Sequence, residues 1–150
     1  MKRIRDFLLA ALIAAGCRNG SETAPESHVV RVGDAYARVE VAADPQKRAA
    51  GLSGRDEISR DEGMLFIFPE PGRPSFWMKG TTAALSVAFI NPEGRISEIQ
   101  DMKPLTKVCH KPRSPCIMAL EMPAGWFERN GVREGDPVAL PAELTAIEAK

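Results

Sequence analysis

The sequence has few of the residues on which most catalytic and metal-binding sites depend. Its 150 residues include two histidines and three cysteines. The patterns His-Glu-x-x-His, Gly-x-Ser-x-Gly and Cys-x-x-Cys are absent, as is a phosphate-binding glycine loop. His28 and His110 have no triad partner that the sequence reveals. We therefore expect neither a metal site nor a cofactor.

The sequence also lacks net charge. Lys+Arg and Asp+Glu number 20 each; three basic residues and one acidic residue precede position 17, which leaves 17 against 19, a net charge of −2. This balance gives no overall field to attract an anionic polymer, so we expect no nucleic-acid partner. The chain is 44% hydrophobic and 27% charged, as is usual for a soluble protein with one globular domain.

No apolar run is long enough to span a bilayer, which needs roughly 20 residues. Residues 7–16 form an apolar stretch of about ten residues behind three basic ones, the arrangement of a signal peptide. The stretch ends in Ala14-Ala15-Gly16-Cys17, which resembles the lipobox of bacterial lipoproteins, although Leu is commoner at position 14. An ordinary secretory signal and a cytosolic amphipathic N-terminus are the alternatives.

The lipobox interpretation sets the compartment and the domain limits. Residues 1–16 would be the signal peptide and Cys17 the lipidated residue. The mature protein would then be an exported, periplasmic lipoprotein anchored to a membrane, the outer one if the host has two. Residues 17–28 are polar, with Gly, Pro and Ser, and predict a flexible tether. We expect one domain over residues 29–141 and a frayed C-terminal tail over 142–150.

If Cys17 carries a lipid, Cys109 and Cys116 remain as a pair. An oxidising compartment favours a disulfide between them. Closing a loop of about eight residues would stabilise the fold by about 2.5 kcal/mol. Two free thiols are one alternative. A metal site with His110 is the other, although two thiols and one histidine leave a tetrahedral zinc ion one ligand short.

Short β-strand patterns dominate the remaining sequence. Ala37, Val39 and Val41 alternate with polar residues, which predicts a half-buried strand. Asp44-Pro45 is a helix start signal, and a second short helix is expected over residues 124–129. Further strands are predicted over residues 29–32, 64–68, 75–79, 85–90, 95–100, 117–122 and 138–140. About seven short strands separated by turns predict a mostly-β, single compact barrel- or sandwich-like domain.

Two central motifs are distinctive: residues 63–69 (Gly-Met-Leu-Phe-Ile-Phe-Pro) and residues 76–79 (Phe-Trp-Met-Lys). They resemble the domain-of-unknown-function 192 family of uncharacterised prokaryotic proteins, and the likeness spans most of the chain. The resemblance implies a compact, mostly-β domain that is often exported, with no agreed activity. Three positions depart from the family pattern, with Gly80, Ala84 and Ser86 in place of the usual Asn, Pro and Asp. No role in a family ligand site is therefore assigned to Gly80 or Ser86.

The second motif contains the first candidate binding residues, Trp77 and Lys79. On a strand these two side chains would share one face, and Phe76 and Met78 the other. A large exposed ring beside a cation suits stacking on a ligand or a peptide. In the alternative, Trp77 lies under a loop and Lys79 only extends its charged end into solvent.

Three charged residues complete the candidate site. Arg48 and Arg55 flank the predicted helix and could hold a carboxylate or phosphate, because a guanidinium group offers a planar fork of donors. Ion pairs with acidic neighbours such as Asp56, Glu57 or Asp61 are the structural alternative for both arginines. Glu121 follows an apolar strand, so it could be buried with a raised pKa and act as a base. It could equally serve only to hydrogen bond the backbone or an arginine.

Three functions remain open from the sequence alone. We favour a non-catalytic accessory module that binds an envelope protein or a small ligand near the membrane. The second hypothesis is a small envelope enzyme that uses Glu121, Lys79 and an arginine in one cleft. The third is a purely structural envelope protein. Side chains that converge in one pocket would favour the enzyme.

Overall fold

The computed structural model describes residues 26–55 and 57–150. The predicted signal peptide, Cys17 and most of the predicted tether lie outside these residues. The domain is mostly β, with one curled half-barrel sheet of seven strands and three short helices, which confirms the predicted fold class. In the described part of the chain, no helix is long and apolar enough to cross a membrane.

The elements follow one another with short connections. The strands are β1 (Ser27–Val32), β2 (Ala35–Ala42), β3 (Glu62–Gly72), β4 (Leu85–Ile90), β5 (Ile96–Met102), β6 (Cys116–Pro123) and β7 (Val138–Ala139). The helices are α1 (Pro45–Ala50), α2 (Trp126–Arg129) and α3 (Ala142–Thr145). The strand order in the sheet is β5-β4-β6-β3-β2-β1-β7, and only β2 and β3 pair in parallel. A parallel pair needs a crossover connection, and the connection here contains α1.

Helix α1 begins and ends on clear local signals. The Asp44 side chain accepts a hydrogen bond of 2.9 Å from the Lys47 amide, and Pro45 occupies the first turn, where its missing N–H costs nothing. Gly51 ends the helix with a φ of +52°, a conformation that side chains other than glycine rarely adopt. The chain can therefore turn sharply after α1 and run back across β3.

Apolar side chains cover both faces of the sheet. Along β6, Met118, Leu120 and Met122 belong to a first core cluster that also contains Trp126. Ala119 belongs to a second cluster on the other face. Successive side chains of a strand point to opposite faces, so Glu121 lies on the face of Ala119. Its register partners, Met64 on β3 and Val87 on β4, are also members of the second cluster.

The predicted disulfide between Cys109 and Cys116 is not formed in the structure. Cys109 and Cys116 are both free; Cys109 is exposed, whereas Cys116 lies in the second core cluster. Burial raises the pKa of the Cys116 thiol to about 11. Proximity in sequence does not bring the two sulfur atoms together, because β6 begins at Cys116 and turns that side chain into the core.

Both ends of the domain differ from the prediction. Strand β1 begins at Ser27, so His28 belongs to the sheet and not to a tether. The residues predicted to fray at the C-terminus fold back onto the domain. Leu144 is buried in the first core cluster, and the Lys150 amide donates a 3.0 Å hydrogen bond to the Ala43 carbonyl oxygen. The apolar residues of this segment therefore pack against the core, although most residues of the segment are polar.

Two predicted strands have different limits in the structure. Residues 75–79 form only an isolated bridge, between Phe76 and His110, because they run beside a loop and not beside a strand. Strand β3 continues beyond Pro69 to Gly72, with a shift in its pairing to β6 after Ile67. Proline has no N–H to donate, so the regular ladder is interrupted there without ending the extended chain.

Candidate functional site

The most unusual polar group in the structure is the side chain of Glu121. It is 5% exposed, and no described residue hydrogen bonds to its carboxyl group. Burial raises its pKa to about 8, and neither a hydrogen bond nor a nearby charge counters that effect. Among the described residues, every side-chain nitrogen or oxygen atom that is completely shielded from solvent has a hydrogen-bond partner. The unpartnered Glu121 oxygens therefore keep contact with open space.

That space is a cleft of about 300 Å³, which we call the Glu121 cleft. Its walls are mainly apolar and aromatic. They include Leu52, Phe66, Phe68, Phe76 and Trp77. Besides Glu121, the polar residues that line it are Arg48, Ser53, Ser75 and Thr81, of which Thr81 is 3% exposed. A concave, mostly apolar space with few polar groups is the usual form of a small-molecule site, and this one is at the lower end of the usual size range.

Several elements position the cleft walls. The chain after α1 reaches the cleft because Gly51 turns it, and the position of a Cβ atom on Gly51 lies 3.6 Å from the Phe66 ring. Phe66 and Phe76 pack edge to face with ring centroids 5.0 Å apart, and Phe76 packs against Phe89 at 5.7 Å. These contacts fix one wall of the cleft, because edge-to-face aromatic pairs have a preferred geometry.

Trp77 and Lys79 are both exposed, whereas Phe76 and Met78 are buried. Trp77 is 55% exposed, so the alternative in which a loop covers it is wrong. The Lys79 Nζ atom lies 5.9 Å from the ring centroid, within range of a cation–π contact. Trp77 lines the Glu121 cleft, but Lys79 does not.

Arg48 lines the cleft, but its guanidinium group is already bonded. Its Nη1 atom donates to the carbonyl oxygens of Ala43 at 2.8 Å and Ile67 at 3.0 Å. Its Nη2 atom donates to the carbonyl oxygen of Lys150. The group also lies 5.6 Å from the centroid of the Phe68 ring. Arg48 therefore joins α1, β3 and the C-terminal segment, which is a structural role.

Arg55 does not line the Glu121 cleft. Its guanidinium group forms a two-pronged ion pair with Glu40 on β2, in which Nη2 donates to Oε2 at 2.6 Å. The hydrogen bond to Glu40 raises the pKa of Arg55. Glu57 and Asp61, two of the acidic residues predicted as alternative partners, do not pair with Arg55. Asp61 instead accepts a 3.0 Å hydrogen bond from the Trp126 indole N–H.

The structure thus brings together only part of the predicted site. Glu121, Trp77 and Arg48 line one cleft, whereas Lys79 and Arg55 do not. Thr81 and Phe66 also line the cleft, although neither was among the predicted site residues; both lie in or next to the distinctive motifs. In the described ranges, no three His, Cys, Asp or Glu side chains are grouped as metal ligands would be.

The altered family position Ser86 lies on the opposite face of the sheet from Glu121. Ser86 precedes Val87, the register partner of Glu121, and adjacent residues of a strand face opposite ways. The Ser86 hydroxyl donates a 2.6 Å hydrogen bond to Asp101. Ser86 therefore does not line the Glu121 cleft.

Comparison with known proteins gives a family and a fold but no activity. The family described as "Uncharacterized ACR", domain of unknown function 192, matches residues 28–140. A protein from Sinorhizobium meliloti, whose name proposes a transcription regulator, is 34% identical with a TM-score of 0.74, covering 79% of this chain and 96% of its own. A protein of unknown function from Novosphingobium aromaticivorans is 26% identical with a TM-score of 0.74, covering 85% and 94%. No curated protein matches the chain at a significant level. The chain belongs to the domain-of-unknown-function 192 family.

Proposed function

We propose that this domain binds a small, mainly apolar ligand in the Glu121 cleft and serves as a non-catalytic accessory module of the cell envelope. One observation carries the proposal. A buried carboxyl group without a protein partner lies in a cleft with aromatic walls. Removing most of a carboxyl group from bulk water costs folding free energy, so its retention beside the cleft is understandable if a ligand completes its hydrogen bonds.

The state of Glu121 defines the ligand that fits. With a pKa of about 8, the carboxyl group is mostly protonated at neutral pH. A protonated carboxyl group has one O–H donor and a carbonyl acceptor. It can therefore donate to a ketone, ester or amide oxygen of the ligand, while the aromatic walls contact an apolar body. A ligand with a negative charge fits less well, because Arg48, the one basic residue among the described residues that line the cleft, already donates to three carbonyl oxygens.

A small enzyme that uses Glu121 as a proton donor is the second candidate function. A pKa near 8 favours it, since proton transfer is most effective when the pKa is close to the working pH. Against it, Lys79 and Arg55 lie outside the cleft, and Arg48, the one arginine among the described residues that line it, donates to backbone carbonyl oxygens. One carboxyl group without a second reacting group supports binding better than catalysis.

The envelope part of the proposal rests on the sequence that ends in Cys17. Replacing Cys17 with Ser in the native host tests it. Wild-type protein should incorporate radiolabelled palmitate and sediment with membranes, and C17S should do neither. Equal labelling of the two proteins, or no labelling of either, would contradict lipidation at this residue.

Ligand binding can be tested with three fragments that differ in one group: acetophenone, benzoate and benzylamine. In protein NMR spectra at neutral pH, acetophenone should shift the signals of Trp77 and Thr81 more than the two charged fragments do. Glu121→Leu should abolish that response, because leucine keeps the bulk and removes the donor. Glu70→Gln, at an exposed position on β3, is the matched control and should respond like wild type. Stronger binding of benzylamine would contradict a neutral-ligand site.

A further inference from the structure

Two connections that each run from one end of the sheet to the other lie side by side and form a single surface. The first (residues 73–84) connects β3 to β4, and the second (residues 103–115) connects β5 to β6. Phe76 and His110 exchange backbone hydrogen bonds of 2.9 and 2.8 Å. The Leu105 amide donates to the Thr81 carbonyl oxygen at 3.0 Å, and Arg73 Nε donates to the Pro112 carbonyl oxygen at 2.8 Å. We call these two segments the paired loops.

The paired loops expose large apolar side chains to solvent. Trp77 is 55% exposed, Leu105 63% and Val108 60%. The backbone of Leu105 has a φ of +58°, and Leu105 is the only described residue other than glycine with a positive φ. This left-handed conformation is unfavourable for a side chain such as leucine, and strain of this kind is often found where a residue has a function. Three of the five exposed large hydrophobic side chains among the described residues thus lie on the paired loops.

The charge of the paired loops has one sign. Neither segment contains Asp or Glu, although the whole chain has as many acidic as basic residues. Arg73 donates a hydrogen bond to the Pro112 carbonyl oxygen, and Arg113 forms ion pairs with Glu98 and Glu134. Four exposed lysines form no ion pair with a described carboxylate: Lys79, Lys103, Lys107 and Lys111.

We propose that the paired loops dock on an anionic lipid bilayer, with Trp77, Leu105 and Val108 in the interfacial layer and the lysines at the lipid phosphates. Tryptophan prefers this layer because one end of its ring system is apolar and the other donates a hydrogen bond. Basic residues near the surface are attracted to anionic headgroups. The inference goes beyond the proposed function, but Trp77 connects the two, since it also lines the Glu121 cleft. A ligand could then reach the cleft from the membrane surface.

The residue types favour lipid over the other polyanions. Protein interfaces are depleted in lysine, whereas arginine is enriched in them, and the free cations here are all lysines. Nucleic acid would bind the lysines through its phosphates but would leave Leu105 and Val108 without partners. A lipid headgroup region accommodates both features at once, because charged and apolar layers lie a few ångströms apart.

Fluorescence quenching by brominated lipids tests the proposal on the full chain. The protein is mixed with vesicles of phosphatidylcholine and phosphatidylglycerol whose acyl chains carry bromine near the headgroup. Trp126 is fully buried, so quenching reports on Trp77. Vesicles with phosphatidylglycerol should quench it, and pure phosphatidylcholine vesicles should quench it much less. Trp77→Phe should remove the quenched fraction of the signal.

Lysine variants test the electrostatic part. Each lysine near an anionic surface strengthens binding by about fivefold, so K103Q/K107Q should require roughly 25-fold more lipid for half-maximal quenching. Lys47→Gln, on the exposed side of α1, is the control and should bind like wild type. Sedimentation of the protein with vesicles while Trp77 stays unquenched would overturn the proposal, because residues outside the paired loops would then bind the membrane. Equal quenching by neutral and anionic vesicles, or by K103Q/K107Q and wild type, would also overturn it.

Discussion

Replacing Glu121 with Gln should change how the stability of the domain depends on pH. Burial raises the pKa of this carboxyl group from its ordinary value of 4.5 to about 8 in the folded state. Between these two values the folded protein holds a proton that the unfolded chain has lost. The stability from Glu121 is therefore complete below pH 4.5, decreases as pH rises through 8, and is constant above that.

The size of the effect follows from the uptake of one proton. The free energy of unfolding should decrease by about 1.4 kcal/mol for each pH unit inside the window, and by at most about 5 kcal/mol across it. Glu121→Gln keeps the size of the side chain and removes the titration. The variant should therefore be less sensitive to pH than wild type, and its relative stability should rise by about 3 kcal/mol between pH 5.5 and 8.

Urea unfolding at a series of pH values, followed by far-UV circular dichroism, measures this difference. Other carboxyl groups titrate equally in both proteins, so the difference between the two curves reports on Glu121 alone. Glu70→Gln, at an exposed position, controls for the loss of a charge and should run parallel to wild type. Parallel curves for Glu121→Gln and wild type would refute the reasoning, because they would mean that water solvates the carboxylate in the cleft.

Three further predictions follow from contacts in the core and at its edge. Replacing Arg48 with Ala should lower the free energy of unfolding in urea by about 2 kcal/mol, since three carbonyl oxygens lose a charged donor; a change below 0.5 kcal/mol would show that water replaces it. In native protein, Cys109 should react with a thiol reagent at once, whereas Cys116 should react only on unfolding, because it is buried with a pKa of about 11; fast modification of both would contradict the described burial. Gly63→Ala should destabilise the domain by more than 3 kcal/mol or prevent folding, because the new Cβ atom would lie 2.1 Å from a carbonyl oxygen of β6. Gly72→Ala, which meets no atom within 4 Å, is the matched control and should fold normally in the same urea assay.

The sequence predicted best the elements whose limits depend on adjacent residues. Strand β4 has the predicted bounds, residues 85–90, because an apolar run ends at a clear Asn-Pro-Glu-Gly turn. The Asp44-Pro45 start of α1 is likewise local. The parallel pairing of β2 with β3 is not local, because it depends on how the crossover through α1 packs on the sheet. Residues 75–79 have the alternation of a strand, but their bridge is to His110 in a loop. This pairing also depends on the tertiary fold and not on adjacent residues.

The candidate site was predictable in its parts and not as a whole. Burial of Glu121 follows from its place in an apolar strand, and exposure of Trp77 follows from alternation. The cleft itself combines the end of α1, strand β3 and the loop at Thr81, which only the tertiary fold brings together. The partner of Arg55 was missed because Glu40 lies 15 residues away, on a strand that becomes a neighbour only in the folded chain.

The affinity of acetophenone as a function of pH is the most direct test of the Glu121 cleft. Acetophenone accepts a hydrogen bond but donates none, so it should bind only the protonated carboxyl group. For wild type, its dissociation constant, followed by NMR, should be constant below pH 7 and rise by about tenfold per unit above the pKa of about 8. Glu121→Gln should bind with no such dependence, since its amide donates at every pH. An affinity of wild type that does not change between pH 6 and pH 10 would contradict a ligand site built on a protonated Glu121.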